Sequence, residues 1–393
     1  MCGSEPMINF DERMRQARFR VSEFAKLCFS RDGMSRLTPN AEPTLFALCF
    51  YIFLANLLRE SFSATQVDVM SRMIRDGIRS ERKKFSVVPM DKPYRQLLCF
   101  SLSALKILGS LENDTLDDLV LEQIDKPISD QLEAYGCLTG APGAGNQAMF
   151  VAIFLIHCRD YLQVDTQSLI DEWVQKHLDA MNRFGFWGPN RGMTHLQFQN
   201  GYHQYEIFDY LRVKTKRMKS AAYQTLSLCD AAGHFAPYPG GGGCFDYDAV
   251  TILTRGEGKL DEEVTNILLT LADSILSGQQ DDGGFAESLM VRPRSIEHFS
   301  LFISQIMSAI GNWPLFIERT RYAISLQRIK HNRITTHWSH YSRAWGESNL
   351  WDSWFRMSSL ARIEIALDSR AIKTWGFIDY PGIGYHPLLG SPL

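Results

Sequence analysis

No stretch of this sequence is long and apolar enough to cross a bilayer. A spanning helix needs about 20 consecutive apolar residues. The longest greasy run, Leu45 to Leu58, has 14 residues and carries Asn56. It reads as a buried helix. The segment Met1 to Arg20 lacks a cationic start followed by an apolar run, so no secretory leader is expected. Excess charge of one sign is missing as well. Lys and Arg number 41 against 44 Asp and Glu, a formal net charge of −3, which leaves no electrostatic footprint for nucleic acid. The basic clusters Arg79–Lys84 and Lys214–Lys219 are short and read as solvated helix ends. Eight cysteines are present without tight metal-knuckle spacing. Cys28, Cys49, Cys99, Cys158 and Cys229 sit in apolar patterns and are expected to be reduced core thiols, which with the missing leader predicts a cytoplasmic protein.

What the chain has instead is a long period. Apolar helical runs begin near Thr44, Pro93, Asn146, Gln197, Cys244, Ile296 and Asn349, with successive spacings of 49, 53, 51, 47, 52 and 53 residues. A repeat of about 50 residues marks stacked supersecondary units. Runs such as LFALCFYIFLANLL, AMFVAIFLIH and LFISQIMSAI are apolar nearly all round, so each must be buried on every side. Between them lie amphipathic segments such as QVDVMSRMIRDGIR and LIDEWVQKHLDAMNR, with one face suited to water. The arrangement predicts an all-α fold, an α/α toroid of about six to seven helix pairs, with the apolar helices inside and the amphipathic ones outside. Residues 1–393 form one toroid in this reading. Residues 1–60 are read either as one of seven pairs or as an N-terminal addition to a six-pair barrel. The tail from Trp375 is rich in Pro, Gly and aromatics, and is expected to be irregular and to lie over the cavity or on the outer ring.

Glycine-rich loops (TGAPGAGN, GFWGPNRG, YPGGGG, DDGGF) feed the apolar helices, so all of these start at one rim. Their N-terminal N–H groups face one mouth, a setting for an anion or a polar head group. Polar residues recur at these starts. Gln199, Asn200, His203 and Glu206 lie in the fourth repeat, and Cys244, Asp246, Tyr247 and Asp248 in the fifth. Glu297 and His298 lie in the sixth, and Asn349, Trp351, Asp352 and Arg356 in the seventh. Their shared position would gather them at one opening. Each has a plain alternative: a core histidine for His203, a helix cap for Asp246, an intrahelical ion pair for Asp352 with Arg356. A carboxyl among apolar walls keeps its proton more readily than in water, so Asp248 and Asp246 are candidate catalytic acids, with His203 as a third catalytic candidate. Gln199, Asn200, Tyr247, Glu297, Trp351 and Asp352 are candidate substrate contacts. A thiolate and an imidazole can also bind Zn²⁺. Cys244 and His298 are 54 residues apart, about one repeat, and are the candidate metal ligands; no cofactor is otherwise expected.

The segment QQDDGGFAES resembles the Gln-then-Asp-Gly-Gly-aromatic repeat of the terpenoid cyclase and protein prenyltransferase superfamily, whose members are α/α toroids. GFWGPNRG and WGESNLW are fainter echoes. Asp246-Tyr247-Asp248-Ala249 is similar at its first and third positions to the Asp-x-Asp-Asp motif with which squalene–hopene-type cyclases protonate an alkene or epoxide. The resemblance marks Asp248 as the acid and Asp246 as its partner, while Ala249 replaces the final aspartate. In prenyltransferase β subunits, Asp-x-Cys and a later His bind zinc; Cys244 and His298 look similar, but Gly242 stands where the Asp belongs. The resemblance therefore implies an enzyme acting on an isoprenoid-like small molecule by acid-initiated cyclisation or isomerisation. A carbohydrate-active lyase or hydrolase with a polar cleft, and a non-catalytic binding scaffold, are the competing readings. Oligomeric state is not legible in the sequence.

Overall fold

The computed structural model describes residues 10–30, 33–111, 116–255, 260–291 and 296–390, the side chains of 296–298, 329 and 390 excepted. The chain opens with α1 (Phe10–Cys28), α2 (Leu45–Leu57), α3 (Ala64–Lys83) and α4 (Lys92–Ile107). Two short helices follow, α5 (Asp117–Gln123) and α6 (Ile128–Ala134), then α7 (Ala144–Asp160), α8 (Gln167–Ala180), α9 (His195–Tyr210) and α10 (Met218–Leu226). The last third holds α11 (Gly243–Leu253), α12 (Glu262–Ser277), α13 (Ile296–Met307), α14 (Trp313–Leu326), a hairpin of β1 (Arg333–Thr336) and β2 (Ser339–Ala344), and α15 (Leu350–Leu367).

Side-chain chemistry sorts these helices into two layers. In α2, eleven of thirteen residues are buried, so it has no face to give to water. In α3, which is twenty residues long, only Met70, Ser71, Ile74 and Ile78 are buried, one stripe at helical spacing. Six helices of the first kind close a ring in which α2 packs on α4, α4 on α7, α7 on α9, α9 on α11, α11 on α15 and α15 back on α2. Around it, α3 backs α4, α8 backs α7, α10 backs α11, α12 backs α15, and α1 lies against α2, α12 and α15. This is an α/α toroid. Four of the six ring helices start where short polar side chains cap them, while α7 and α11 start after Gly143 and Gly242 without a side-chain cap. Thr44 Oγ1 accepts from Ala47 N (3.1 Å), Asp91 from Tyr94 N (3.0 Å), Thr194 from Gln197 N (3.2 Å) and Asn349 from Asp352 N (3.0 Å). Each such cap stabilises by about 1 kcal/mol.

The ring departs from the expected set at two places. The helix α2 belongs to it and is no N-terminal addition, whereas α13, with its apolar run, lies outside it and packs on α14. Phe302 is buried there, but Phe299, Ile303, Met307 and Ile310 are exposed. An apolar pattern does not distinguish a buried helix from one whose greasy face meets solvent. The α13–α14 pair instead clamps the N-terminal rim of α9. The Glu318 carboxylate accepts from His195 N (2.6 Å) and Leu196 N (2.9 Å), a negative charge at the positive end of that helix. The hairpin crosses the same rim. Thr44 Oγ1 donates to Trp338 O (2.8 Å), and the Trp338 ring lies 4.3 Å from that of Trp351.

The tail closes the opposite end of the barrel, not the mouth and not the outer ring. Gly376 N donates to Leu57 O (3.0 Å) at the end of α2, Tyr380 OH meets His157 Nδ1 (2.9 Å) near the end of α7, and Gly384 N donates to Tyr247 OH (3.0 Å). Gly376 seats so closely that a Cβ there would stand 1.9 Å from Asn56 O. Gly376→Ala must therefore push the tail off α2 and is expected to cost about 1–3 kcal/mol. Chemical denaturation reads this directly; an unchanged midpoint would show that the tail is not seated as described.

Candidate active site

The site is built on α9, α11 and α15. Asp246 and Asp248, two residues apart on α11, are both buried, yet their surroundings are opposite. Asp246 is fully paired. Its Oδ2 meets His234 Nδ1 (2.8 Å) and Arg356 Nη1, and its Oδ1 accepts from Phe235 N (2.9 Å). Burial alone would raise its pKa, but His234, then Arg356 and the Phe235 amide, outweigh it and hold the carboxyl below the usual range. The glycine run makes room for this lock. Gly241 has φ +64° and a Cβ on it would stand 2.5 Å from Asp246 Oδ2 and from His234 Nδ1. Asp246 is thus a fully paired carboxyl of lowered pKa that anchors this helix start.

Asp248 has the reverse environment. Its Oδ1 has no hydrogen-bond partner. Burial, then the Glu206 carboxyl, push its pKa well above the ordinary value, and Tyr202 and Asp246 act more weakly, the first lowering and the second raising it. Asp248 therefore keeps its proton more readily than an ordinary aspartate.

Glu206, on α9, did not stand out in the sequence from its neighbours Gln199 and His203. Its Oε1 accepts from Tyr247 OH (3.1 Å), while its Oε2 is unpartnered. Burial raises it to about 8, against Arg362 and the Tyr247 hydroxyl. His203 is buried with its Nε2 against Asn146 Nδ2 (2.7 Å), and its Nδ1 is unpartnered, 3.9 Å from Glu206 Oε2, beyond hydrogen-bonding reach. Burial, with Lys92 adding to it, lowers its pKa well below the usual value, so it is neutral and donates no charge-driven proton.

The remaining candidates divide. Gln199 and Cys244 are half-buried near the helix starts. Asn200 is a staple, accepting from Gly143 N (3.0 Å) and donating to Gly140 O (3.4 Å), and so braces the loop before α7. Tyr247 ties Glu206 to Arg362 (3.1 Å) and to the tail. Trp351 belongs to an aromatic wall on α15, α2 and α4, with ring distances of 4.4 Å to Phe355 and 4.8 Å to Phe50; Phe50 stands 5.7 Å from Phe100. Asp352 does not pair with Arg356. It accepts from Asn349 Nδ2 (2.6 Å) and faces Arg343 at 3.7 Å, and its Oδ1 is unpartnered. Beside it Glu287 takes a hydrogen bond from Tyr238 OH (2.6 Å); burial and Asp352 raise it to about 7. Glu297 and His298 begin α13, and their side chains lie outside the described residues.

Burial, then Asp248, Glu287 and Asp352, push the Cys244 thiol well up, and the side chain of its expected companion ligand, His298, lies outside the described residues. Among the described residues no three His, Cys, Asp or Glu side chains are placed to hold a metal ion.

No family model and no curated protein matches the sequence. A solved structure does match: the type II terpene cyclase MstE from Scytonema, in its apo form, with TM-score 0.50 over 91% of this chain and 99% of that one. The chain shares the fold of that structure, an α/α toroid. At 10% identity the match carries the architecture alone. No described helix is long and apolar enough to cross a membrane.

Proposed function

We propose that the chain is an enzyme that binds a largely apolar, isoprenoid-like molecule within the toroid and starts its cyclisation or isomerisation by protonating an alkene. The observation that supports this reading is the Asp248 carboxyl, buried, with one oxygen unpartnered and its pKa raised, set on a ring helix next to the aromatic-rich α15. A carboxylic acid that keeps its proton in a dry site is a competent proton donor. Aromatic faces such as those of Phe50, Phe100, Trp351 and Phe355 stabilise a carbocation and exclude water. In the step, the Asp248 O–H bond breaks and a C–H bond forms at one alkene carbon. The other alkene carbon becomes cationic; either it or the new cation made when the next double bond attacks it loses a neighbouring proton to the Asp248 carboxylate or to water, and Asp248 is restored as the acid. Asp246, Arg356 and His234 hold the helix start in place while this happens.

The walls favour this over a carbohydrate site, which calls for a wide polar cleft. Binding separates the two readings without knowledge of the natural substrate, because a ligand that binds only the folded state raises the melting temperature by mass action. Linear isoprenoids of increasing length are expected to raise it in a concentration-dependent way, and oligosaccharides are not. The opposite pattern would replace this reading with the carbohydrate one.

A further inference from the structure

Helix α13 turns an apolar face to solvent. Phe299, Ile303 and Met307 stand four residues apart, a stripe at helical spacing, and Ile310 follows in the turn; all four are exposed. The stripe continues into α14, where Trp313 is 66% exposed and stacks on Phe316 (5.3 Å). Ile324 lies three turns further along the same face of α14, opposite the buried Leu315, Arg319 and Leu326. Among the described residues no other stretch of this length exposes as many large apolar side chains. Single exposed apolar residues are ordinary, but a stripe of them marks an interaction site. The charge around this stripe is of one sign. Residues 299–333 hold five basic side chains, Arg319, Arg321, Arg328, Lys330 and Arg333, and one acid, Glu318, in a chain whose formal net charge is −3. Glu318 is spent at the start of α9, where it accepts from His195 N and Leu196 N. Arg321, which flanks Ile324, and Lys330, which follows α14, are both exposed.

We propose that the outer face of the α13–α14 pair is a docking surface by which the protein lies on an anionic phospholipid bilayer without crossing it. Phe, Ile, Met and Trp on one face, with Arg and Lys at its flank, is the make-up of helices that lie in a membrane interface. The apolar stripe enters the boundary between headgroups and acyl chains, and the basic side chains meet lipid phosphates. Trp313, at the end of the stripe, suits the headgroup level, because an indole joins an apolar body to one polar N–H. The pair is fixed to the rim where α9 starts, through Glu318 and through Asn312 Nδ2, which donates to Met193 O (2.8 Å). Docking therefore brings that rim of the toroid to the lipid, so that an apolar ligand reaches it without passing through water. The docking surface owes nothing to Asp248 and stands whether or not the proposed reaction does.

The test is flotation of the whole chain with vesicles of three parts phosphatidylcholine to one part phosphatidylglycerol, and with vesicles of phosphatidylcholine alone. The wild type is expected to float with the first and far less with the second. Each Lys or Arg near an anionic surface is worth about fivefold in affinity, so Arg321→Glu with Lys330→Glu should weaken binding to the anionic vesicles by about 25-fold or more. Phe299→Asn with Ile303→Asn should weaken it by about tenfold or more, through the apolar area that no longer leaves water. All four side chains are exposed, so both double variants should melt with the wild type; the charge variant decides the matter if the apolar one does not fold. A wild type that floats with neither vesicle, or binding unchanged in either double variant, overturns the proposal. So does a wild type that is dimeric without lipid and monomeric as Phe299→Asn with Ile303→Asn, which would make a second copy the occupant. Vesicle binding by a chain that turns over no isoprenoid would leave this inference standing and sink the proposed function, and turnover by a chain that binds no vesicle would do the reverse.

Discussion

Asp248→Asn folds with a melting temperature at or above that of the wild type and loses turnover by about 10²–10⁴-fold, the usual contribution of a positioned acid. Asparagine keeps the size of the side chain and replaces the acidic O–H with a non-acidic amide NH2. The stability side follows from the direction of the pKa shift. A carboxyl whose pKa is raised on folding contributes stability at low pH that is lost as pH rises above the unfolded value and toward the folded one. Between the unfolded and the folded pKa the wild type retains a proton that its unfolded chain has released, and the variant carries no such cost. The difference in melting temperature should widen with pH above the ordinary Asp range. A variant that unfolds, or one that still converts an isoprenoid at the full wild-type rate, would show that Asp248 is not the proton donor.

Asp246→Asn does the opposite. It leaves Arg356 buried without its carboxylate, and one-sided removal of a buried charge partner costs about 3–5 kcal/mol. Arg356 keeps the carbonyls of Gly240 (3.2 Å) and Glu287 (3.1 Å) and a long contact with His234 Nδ1 (3.5 Å), and His234 loses its anion. The sign is again set by the shift. A carboxyl whose folded pKa is lowered stabilises the fold above its unfolded value, and that stabilisation is lost as pH falls through the folded pKa. Denaturant unfolding should thus show a large gap between wild type and variant at neutral pH that shrinks in acid. A neutral-pH gap of a few tenths of a kcal/mol would mean that the His234–Asp246–Arg356 lock is not the anchor of this helix.

The two aspartates show where sequence reasoning runs out. The period of about 50 residues placed all seven helix starts to within two residues, because capping and all-round burial are local and leave a local trace in Thr44, Asn349 and the apolar runs. Which of those helices close the ring is a tertiary fact. Helix α13 is as apolar in sequence as the others, yet Phe299 and Ile303 face outward because α11 packs directly on α15. The residues of the site were half legible. Cys244, Asp246 and Asp248 were found through the glycine run that precedes them, and Asp352 and Arg356 through their shared helix. Their partners were not: Asp246 is bound by His234, twelve residues away on a loop, and Asp352 faces Arg343 on the hairpin. Such pairings depend on where irregular segments cross the rim, and no spacing encodes that. Glu206 stood in plain view as one acid among several polar residues of α9, and only its burial with one oxygen unpartnered sets it apart.

The central claim is that the proton of Asp248 passes to carbon. It is tested most directly by isolating the product formed from a linear isoprenoid in heavy water, where the exchangeable Asp248 proton is a deuteron. The account predicts one deuterium in each cyclised or isomerised product, on the alkene carbon that was attacked, and no product from Asp248→Asn. A product formed by the wild type without deuterium, or formed equally by Asp248→Asn, would contradict it.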